Sequence, residues 1–217
     1  MCLSIDRISF NYPNGPDIFA DATWTFDQGG YHLVRGPSGA GKSTLLRLLC
    51  RLEEITSGVI LYKDTDVTAM DPPQLRRTVA YVQQTPTLIP GTVRENLLLP
   101  FSFQANRALA LPTDSDLAER LDSFLLDGVT PDSAADKLSV GQSQRVCLIR
   151  SLLLEPEVVL LDEPTSSLDP KSAKVVLDKT AELSGRGVTV VMISHSETTP
   201  PGVTDAVTIR QGRLVRA

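Results

Sequence analysis

No stretch of this sequence is apolar for long enough to cross a bilayer. The longest apolar runs, residues 158–161 and 188–193, fall far short of the ~20 residues that a spanning helix needs. The chain does not open on a basic segment followed by an apolar one, so no secretory signal is read and a cytosolic location is expected. Cysteine is scarce: Cys2, Cys50 and Cys147 lack CxxC spacing, and two of them sit among leucines in helical patterns. That excludes a zinc module and a disulfide framework, and makes the thiols small buried hydrophobes. Positive charge is also in deficit, with 21 Lys and Arg against 26 Asp and Glu and a formal net charge of -5. Such a chain offers no broad positive field to a phosphate backbone, and no nucleic-acid partner is expected. Internal repeats and low-complexity tracts are missing as well. What is present, 41% hydrophobic and 22% charged residues in a chain of 217, is the composition of one folded domain.

Apolar and polar positions alternate through Leu3, Ile5, Ile8 and Phe10, then Ile18, Phe19, Ala22, Trp24 and Phe26, which predicts antiparallel strands over the first thirty-five residues. Residues 31–35 form a further short strand, followed by a glycine-rich segment over 36–41 and a helix over 42–52. Strands at 59–62 and 78–82 flank a short helix opening at Asp71-Pro72-Pro73, where Asp caps and Pro suits the first turn. From Thr92 to about Leu153 the pattern is helical, with a Pro-rich, polar interruption over 101–113 and helical spacing in Leu117, Leu121, Phe124 and Leu125. The runs 158–161 and 188–193 suit buried parallel strands, with a helix over 170–183 between them. Small strands at 206–209 and 214–215 surround Gln211-Gly212.

The segment Gly36-Pro37-Ser38-Gly39-Ala40-Gly41-Lys42-Ser43 satisfies G-x-x-x-x-G-K-[ST] between a predicted strand and a predicted helix, the context that gives the motif its meaning. Its glycines let backbone N–H groups curl around phosphates, and the helix opening at Lys42 turns its unpaired N–H groups toward them. Lys42 is expected to neutralise the β- and γ-phosphates, Ser43 to place its hydroxyl on Mg²⁺, and Thr44 to add a phosphate contact. A phosphate loop alone fits a kinase, a GTPase or a helicase. Residues 158–163, Val-Val-Leu-Leu-Asp-Glu, then give an apolar strand ending in two acids. Asp162 is expected to support the metal and Glu163 to act as general base on water.

Upstream of the acids, Leu138-Ser139-Val140-Gly141-Gln142 resembles the LSGGQ signature of ATP-binding-cassette (ABC) ATPases. The resemblance implies two cassettes facing head to tail, with Ser139, Gly141 and Gln142 of one closing over ATP on the phosphate loop of the other. Other matches follow in the family's order. Tyr12 resembles the aromatic that stacks on adenine, and Gln84 the glutamine that touches Mg²⁺ and water, chosen over Gln83 by the spacing to Leu88. Ser167-Leu168-Asp169 is similar to the loop that meets the opposite cassette, and His195 to the histidine that bonds the γ-phosphate and orients the attacking water. His32 is assigned to its strand with no function. The implied catalytic set is Lys42, Gln84, Glu163 and His195; ATP and Mg²⁺ are the implied cofactors, with Ser43, Gln84 and Asp162 on the metal. The departure is Val140, where the family pattern has glycine. A β-branched residue disfavours positive φ and blocks close backbone approach, so activity is expected to survive while the tightness of closure is in question.

The implied fold is α/β: a P-loop NTPase, RecA-like core with a mainly parallel sheet, an N-terminal antiparallel β subdomain and a helical insertion. A single domain is expected over residues 1–217, with its core over about 1–84 and 156–217 and the helical part over about 88–153. The implied partners are a second copy of the chain and an integral membrane permease docking on the helical part, over 101–136, and on the Gln84 region. The expected place is the cytoplasmic face of the cell membrane. Residues 84–88, 92–97 and 100–101 are similar to bacterial FetA-like ATPases associated with iron export and peroxide resistance. Lipoprotein-releasing, antimicrobial-peptide and amino-acid systems use near-identical cassettes. Soluble family members acting on nucleic acid or ribosomes form the alternative class, but those usually carry coiled coils, zinc modules or paired cassettes, which this sequence lacks.

Overall fold

The structure is a computed structural model that describes residues 2–195 and 198–217. Its first two strands, β1 (Leu3–Asn11) and β2 (Asp17–Phe26), pair antiparallel from Leu3↔Phe26 to Asn11↔Asp17. The next strand, β3 (Tyr31–Arg35), does not join them. Buried on both faces, it leads through the glycine-rich segment into α1 (Lys42–Leu49). That helix stops short of the predicted 52: Cys50 is its C-cap and Arg51 takes a left-handed φ of 53°. Next, β4 (Ser57–Tyr62) returns to pair antiparallel with β1 and carries the short β5 (Thr65–Asp66). Thr78 closes α2 (Pro72–Thr78) instead of opening β6 (Val79–Val82).

The predicted helical stretch contains α3 (Val93–Leu98), α4 (Asp114–Ser123) and α5 (Val140–Leu152), with 3-10 turns at Leu99–Ser102, Gln104–Asn106 and Ala135–Lys137. The spacing that ran on to Leu125 breaks at Phe124, the C-cap of α4, because Leu125 adopts φ 52°. The chain ends with β7 (Val158–Asp162), α6 (Pro170–Gly185), β8 (Thr189–Ile193), β9 (Asp205–Arg210) and β10 (Arg213–Arg216).

Among the described residues these strands make two sheets, one ordered β2-β1-β4-β5 and one ordered β10-β9-β3-β8-β7-β6. In the second, β9, β3, β8, β7 and β6 run parallel and β10 is an antiparallel edge. Burial on both faces explains the unbroken apolar runs. Val158, Leu160, Val191 and Ile193 face one core with Leu45, Leu46, Leu48 and Leu49 of α1. Val159, Leu161, Val190 and Met192 face the other, with Leu117, Leu121, Val146 and Ile149 of the helical stretch and Val176 of α6. The insertion therefore shares a core with the sheet. All three cysteines are free and buried, and burial pushes the Cys50 thiol up to about 12, as the scattered spacing led one to expect. No helix among the described residues is long and apolar enough to cross a membrane.

Topology gathers the chemistry. Strands β3, β8, β7 and β6 are consecutive in the sheet and parallel, so the segments leaving their carboxyl ends (residues 36–41, 194–195, 163 and 83–84) meet along one edge. Crevices at such an edge are where open α/β sheets bind ligands.

Candidate functional site

Gly41 stands between the glycine-rich loop and α1 at φ 93°, and a Cβ there would lie 2.3 Å from Ile18 Cγ2. Conformation and space both require glycine. As N-cap it supplies no side-chain acceptor, which leaves the first N–H groups of α1 for a ligand. Pro37, Ser38 and Gly39 form the exposed crest, closed below by Ala40 N–H donating to the Pro37 carbonyl at 3.2 Å. Lys42 is buried, and its Nζ donates to the Gly36 and Pro37 carbonyls at 2.9 and 3.0 Å. Two neutral carbonyls do not balance a buried ammonium; a phosphate over the loop would. Ser43 follows at the second position of α1. Thr44 Oγ1 lies 3.3 Å from the Tyr12 hydroxyl, and the Tyr12 ring stands edge-on to Phe10 at 4.9 Å.

Asp162, the last residue of β7, is 3% exposed and shares the α1-facing side of the strand with Leu160. Its Oδ2 accepts from the Tyr81 hydroxyl at 3.1 Å, while its Oδ1 is buried with no hydrogen-bond partner among the described residues. Burial, then the Asp162 charge, pushes the Tyr81 phenol up to about 12, so it stays a donor at neutral pH. One unspent carboxylate oxygen near a helix that carries a serine hydroxyl suits a hard, oxygen-preferring cation. No group of three or more His, Cys, Asp or Glu could hold a metal among the described residues. A Mg²⁺ here would share its shell with hydroxyl and phosphate oxygens, the usual arrangement for that ion.

Glu163 turns sharply out of the strand at φ 49°, a conformation that costs a non-glycine residue about 1–3 kcal/mol. Its N–H donates to the Ile193 carbonyl at 3.2 Å. The turn swings the carboxylate toward the ends of β6 and β8. There Oε2 accepts from Gln84 Nε2 at 2.9 Å, and Oε1 lies 2.7 Å from His195 Nε2. Three residues singled out separately in the sequence thus meet in one cluster. Gln83 points away, donating to the Thr87 hydroxyl at 2.6 Å.

The signature segment lies apart. Ser139 caps α5: its Oγ accepts from Gln142 N–H at 3.2 Å, and Gln142 Oε1 accepts from Ser139 N–H at 2.8 Å. The hydroxyl proton of Ser139 is not used in that box. Val140 is the first residue of α5, absent from the positive-φ residues and 59% exposed. The concern that valine would oppose a left-handed backbone here does not hold, because the position is helical. Gly141 is the tight position: a Cβ would lie 3.1 Å from Leu168 Cδ2 and 3.3 Å from the Ser167 carbonyl. Asp169 caps α6, accepting from Lys171 and Ser172 N–H, and its bonds to Ser172 hold its carboxyl below the usual range. Among the described residues no hydrogen bond or ion pair joins residues 139–142 or Asp169 to the loop 36–43.

Tyr81 and Arg47 were not singled out from the sequence. The register places Tyr81 opposite Leu160, one diagonal step from Asp162 on the same face, a separation that an aromatic side chain spans. A lone tyrosine in the aliphatic strand Val-Ala-Tyr-Val was the available signal. A cleft of about 770 Å³ opens between α2 and the insertion, lined by Leu52, Arg76, Pro100, Phe103, Gln104 and Arg150 among others. Phe103 is 55% exposed. Gln84 is not among the lining residues.

Residues 19–166 match the family model described as ABC transporter. The chain is 43% identical over 164 residues to Protein STAR1 of Oryza sativa subsp. japonica, a match that covers 75% of this chain and 46% of that one. It is 34% identical over 224 residues to the phosphonates import ATP-binding protein PhnC of Lactococcus lactis subsp. cremoris, covering 98% and 91%. Among solved structures, a dimeric post-hydrolysis ATP-binding cassette bound to ADP and Pi superposes with a TM-score of 0.87 at 25% identity, covering 99% and 97%. The chain thus spans less than half of STAR1 but nearly all of PhnC and of the solved cassette.

Proposed function

We propose a function from one premise: the chain belongs to the ABC transporter family. Two copies bind two ATP head to tail, hydrolyse them, and drive a separate membrane permease. The observation that carries this reading is the convergence of Gln84 and His195 on Glu163 at the sheet edge that also bears the phosphate loop.

In the site, Lys42 and the N–H groups of α1 bind the β- and γ-phosphates. Ser43, Asp162 and Gln84 are the residues that would hold Mg²⁺, which would neutralise phosphate charge there. Tyr12 stacks on adenine at the loop's rim. Glu163 takes the proton of the attacking water, so that oxygen attacks the γ-phosphorus and ADP leaves. Both Glu163 oxygens are engaged, by Gln84 and by His195, and that engagement holds the base in reserve. Turning His195 toward the γ-phosphate frees Oε1 for water. From the second copy, the Ser139 hydroxyl, the Gly141 N–H and the dipole of α5 add donors to the γ-phosphate, and Asp169 lies at the boundary between copies.

The permease docks on the cleft beside Phe103, where an apolar surface is rimmed by Arg76 and Arg150, and this holds the chain at the cytoplasmic face of the membrane. The permease sets the cargo. Iron export is the cargo reading that residues 84–101 support, ahead of lipoprotein or peptide export. The net charge of -5 weighs against a nucleic-acid machine.

The test is Glu163→Gln. It is expected to bind ATP as the unmodified chain does while turnover falls by at least the ~10²-fold typical of a general base. Unaltered phosphate release in that variant rejects the assignment.

A further inference from the structure

We propose that Tyr81 is a positioning residue for the metal-supporting carboxylate: its hydroxyl holds Asp162 Oδ2 so that Oδ1 is presented to the cation. The inference rests on reading Asp162 as metal support and goes beyond it by naming what aims that carboxylate.

Two observations converge. The Tyr81 hydroxyl donates to Oδ2 at 3.1 Å, the one hydrogen bond of the Asp162 side chain among the described residues. The other oxygen is buried and unpartnered, so one oxygen is spent on the protein and the other is not. Arg47 of α1 lies within electrostatic reach of both Tyr81 and Tyr12. Tyr12 in turn lies 3.3 Å from Thr44.

Geometry explains why a tyrosine is suited here. Asp162 follows four aliphatic residues and is 3% exposed, so water cannot orient its carboxylate. A carboxylate with one oxygen bonded to a fixed donor cannot rotate about its terminal torsion without losing that bond. Outer-shell partners of this kind typically govern metal affinity by about ten- to a hundredfold. Phenylalanine keeps the ring that packs against the core and removes only the donor.

The experiment measures ATP affinity of the full chain in excess Mg²⁺ and again in EDTA, using a fluorescent ATP analogue, for the unmodified protein, Tyr81→Phe and Asp162→Asn. The ratio of the two dissociation constants reports metal linkage and is blind to plain packing damage. In Tyr81→Phe the EDTA value is expected to hold and the Mg²⁺-dependent gain to shrink about tenfold, with the Mg²⁺ level for half-maximal hydrolysis rising in step. If Asp162→Asn collapses the ratio while Tyr81→Phe leaves it within about twofold, the positioning role is overturned and the reading of Asp162 stands. If Asp162→Asn itself keeps the ratio, that reading fails and takes the proposal with it. Should Tyr81→Phe lose its melting transition, Tyr81→Met decides: a shrunken ratio supports the positioning role, and an unchanged ratio overturns it.

Discussion

Valine at position 140 was the one residue of the signature that the sequence set against its family, and its place in the helix changes what it means. As the first residue of α5, with its side chain 59% exposed, it asks nothing unusual of the backbone. Glycine there would loosen the first turn. Val140→Gly is expected to lower stability by up to about 1 kcal/mol in urea unfolding, and to leave hydrolysis within about threefold of the unmodified chain, since the proposed donors are Ser139 and the N–H groups beyond it. A tenfold gain in hydrolysis would mean instead that the valine side chain holds two copies apart. Position 141 is the tighter of the two: a Cβ there would crowd the Leu168 side chain and the Ser167 carbonyl of the same chain. A motif read as letters does not distinguish these two. Nor does it reveal Tyr81, whose importance arises from a strand register that no local pattern prints.

At the scale of elements, most of the site was legible because each strand that builds it ends at a motif. An unbroken apolar run followed by two acids, or by a histidine, reads as a buried strand delivering a side chain to its carboxyl edge, and β7 and β8 do so. The helical stretch was legible in kind but not in bounds. Its 3-10 turns over residues 99–106 and the left-handed Leu125 come from tertiary contacts, not from periodicity. One such contact is Arg145 of α5, which is 7% exposed and donates to the carbonyls of Phe124 and Leu125 at 2.9 and 2.8 Å and of Gly141 at 3.2 Å. It ties the end of α4 to the first turn of the signature helix. Arg145→Met keeps the apolar stem and strands those carbonyls, so stability is expected to fall by about 2–3 kcal/mol, measured as a shift of the urea midpoint. A midpoint that does not move would show that water replaces the guanidinium without cost.

For the whole molecule, the two-sheet architecture and its edge of strand ends were implied by the order of patterns, whereas pairing had to be seen. The third strand belongs to the parallel sheet because its partners β8 and β9 come from far along the chain, with α1 packed on one face and α6 on the other. Separation is the larger lesson. The loop 36–43 and the cap at Ser139 are not joined to each other by a hydrogen bond or ion pair among the described residues, and the proposed function has them meet across two copies. Mixing copies tests this most directly. Lys42→Ala and Ser139→Ala should each be nearly inactive alone. Combined in equal amounts, they should recover about one quarter of unmodified activity, because half of randomly paired dimers are mixed and each mixed dimer holds one intact composite site of two. A mixture no more active than the mean of the separate variants would contradict the shared site and place catalysis within a single chain.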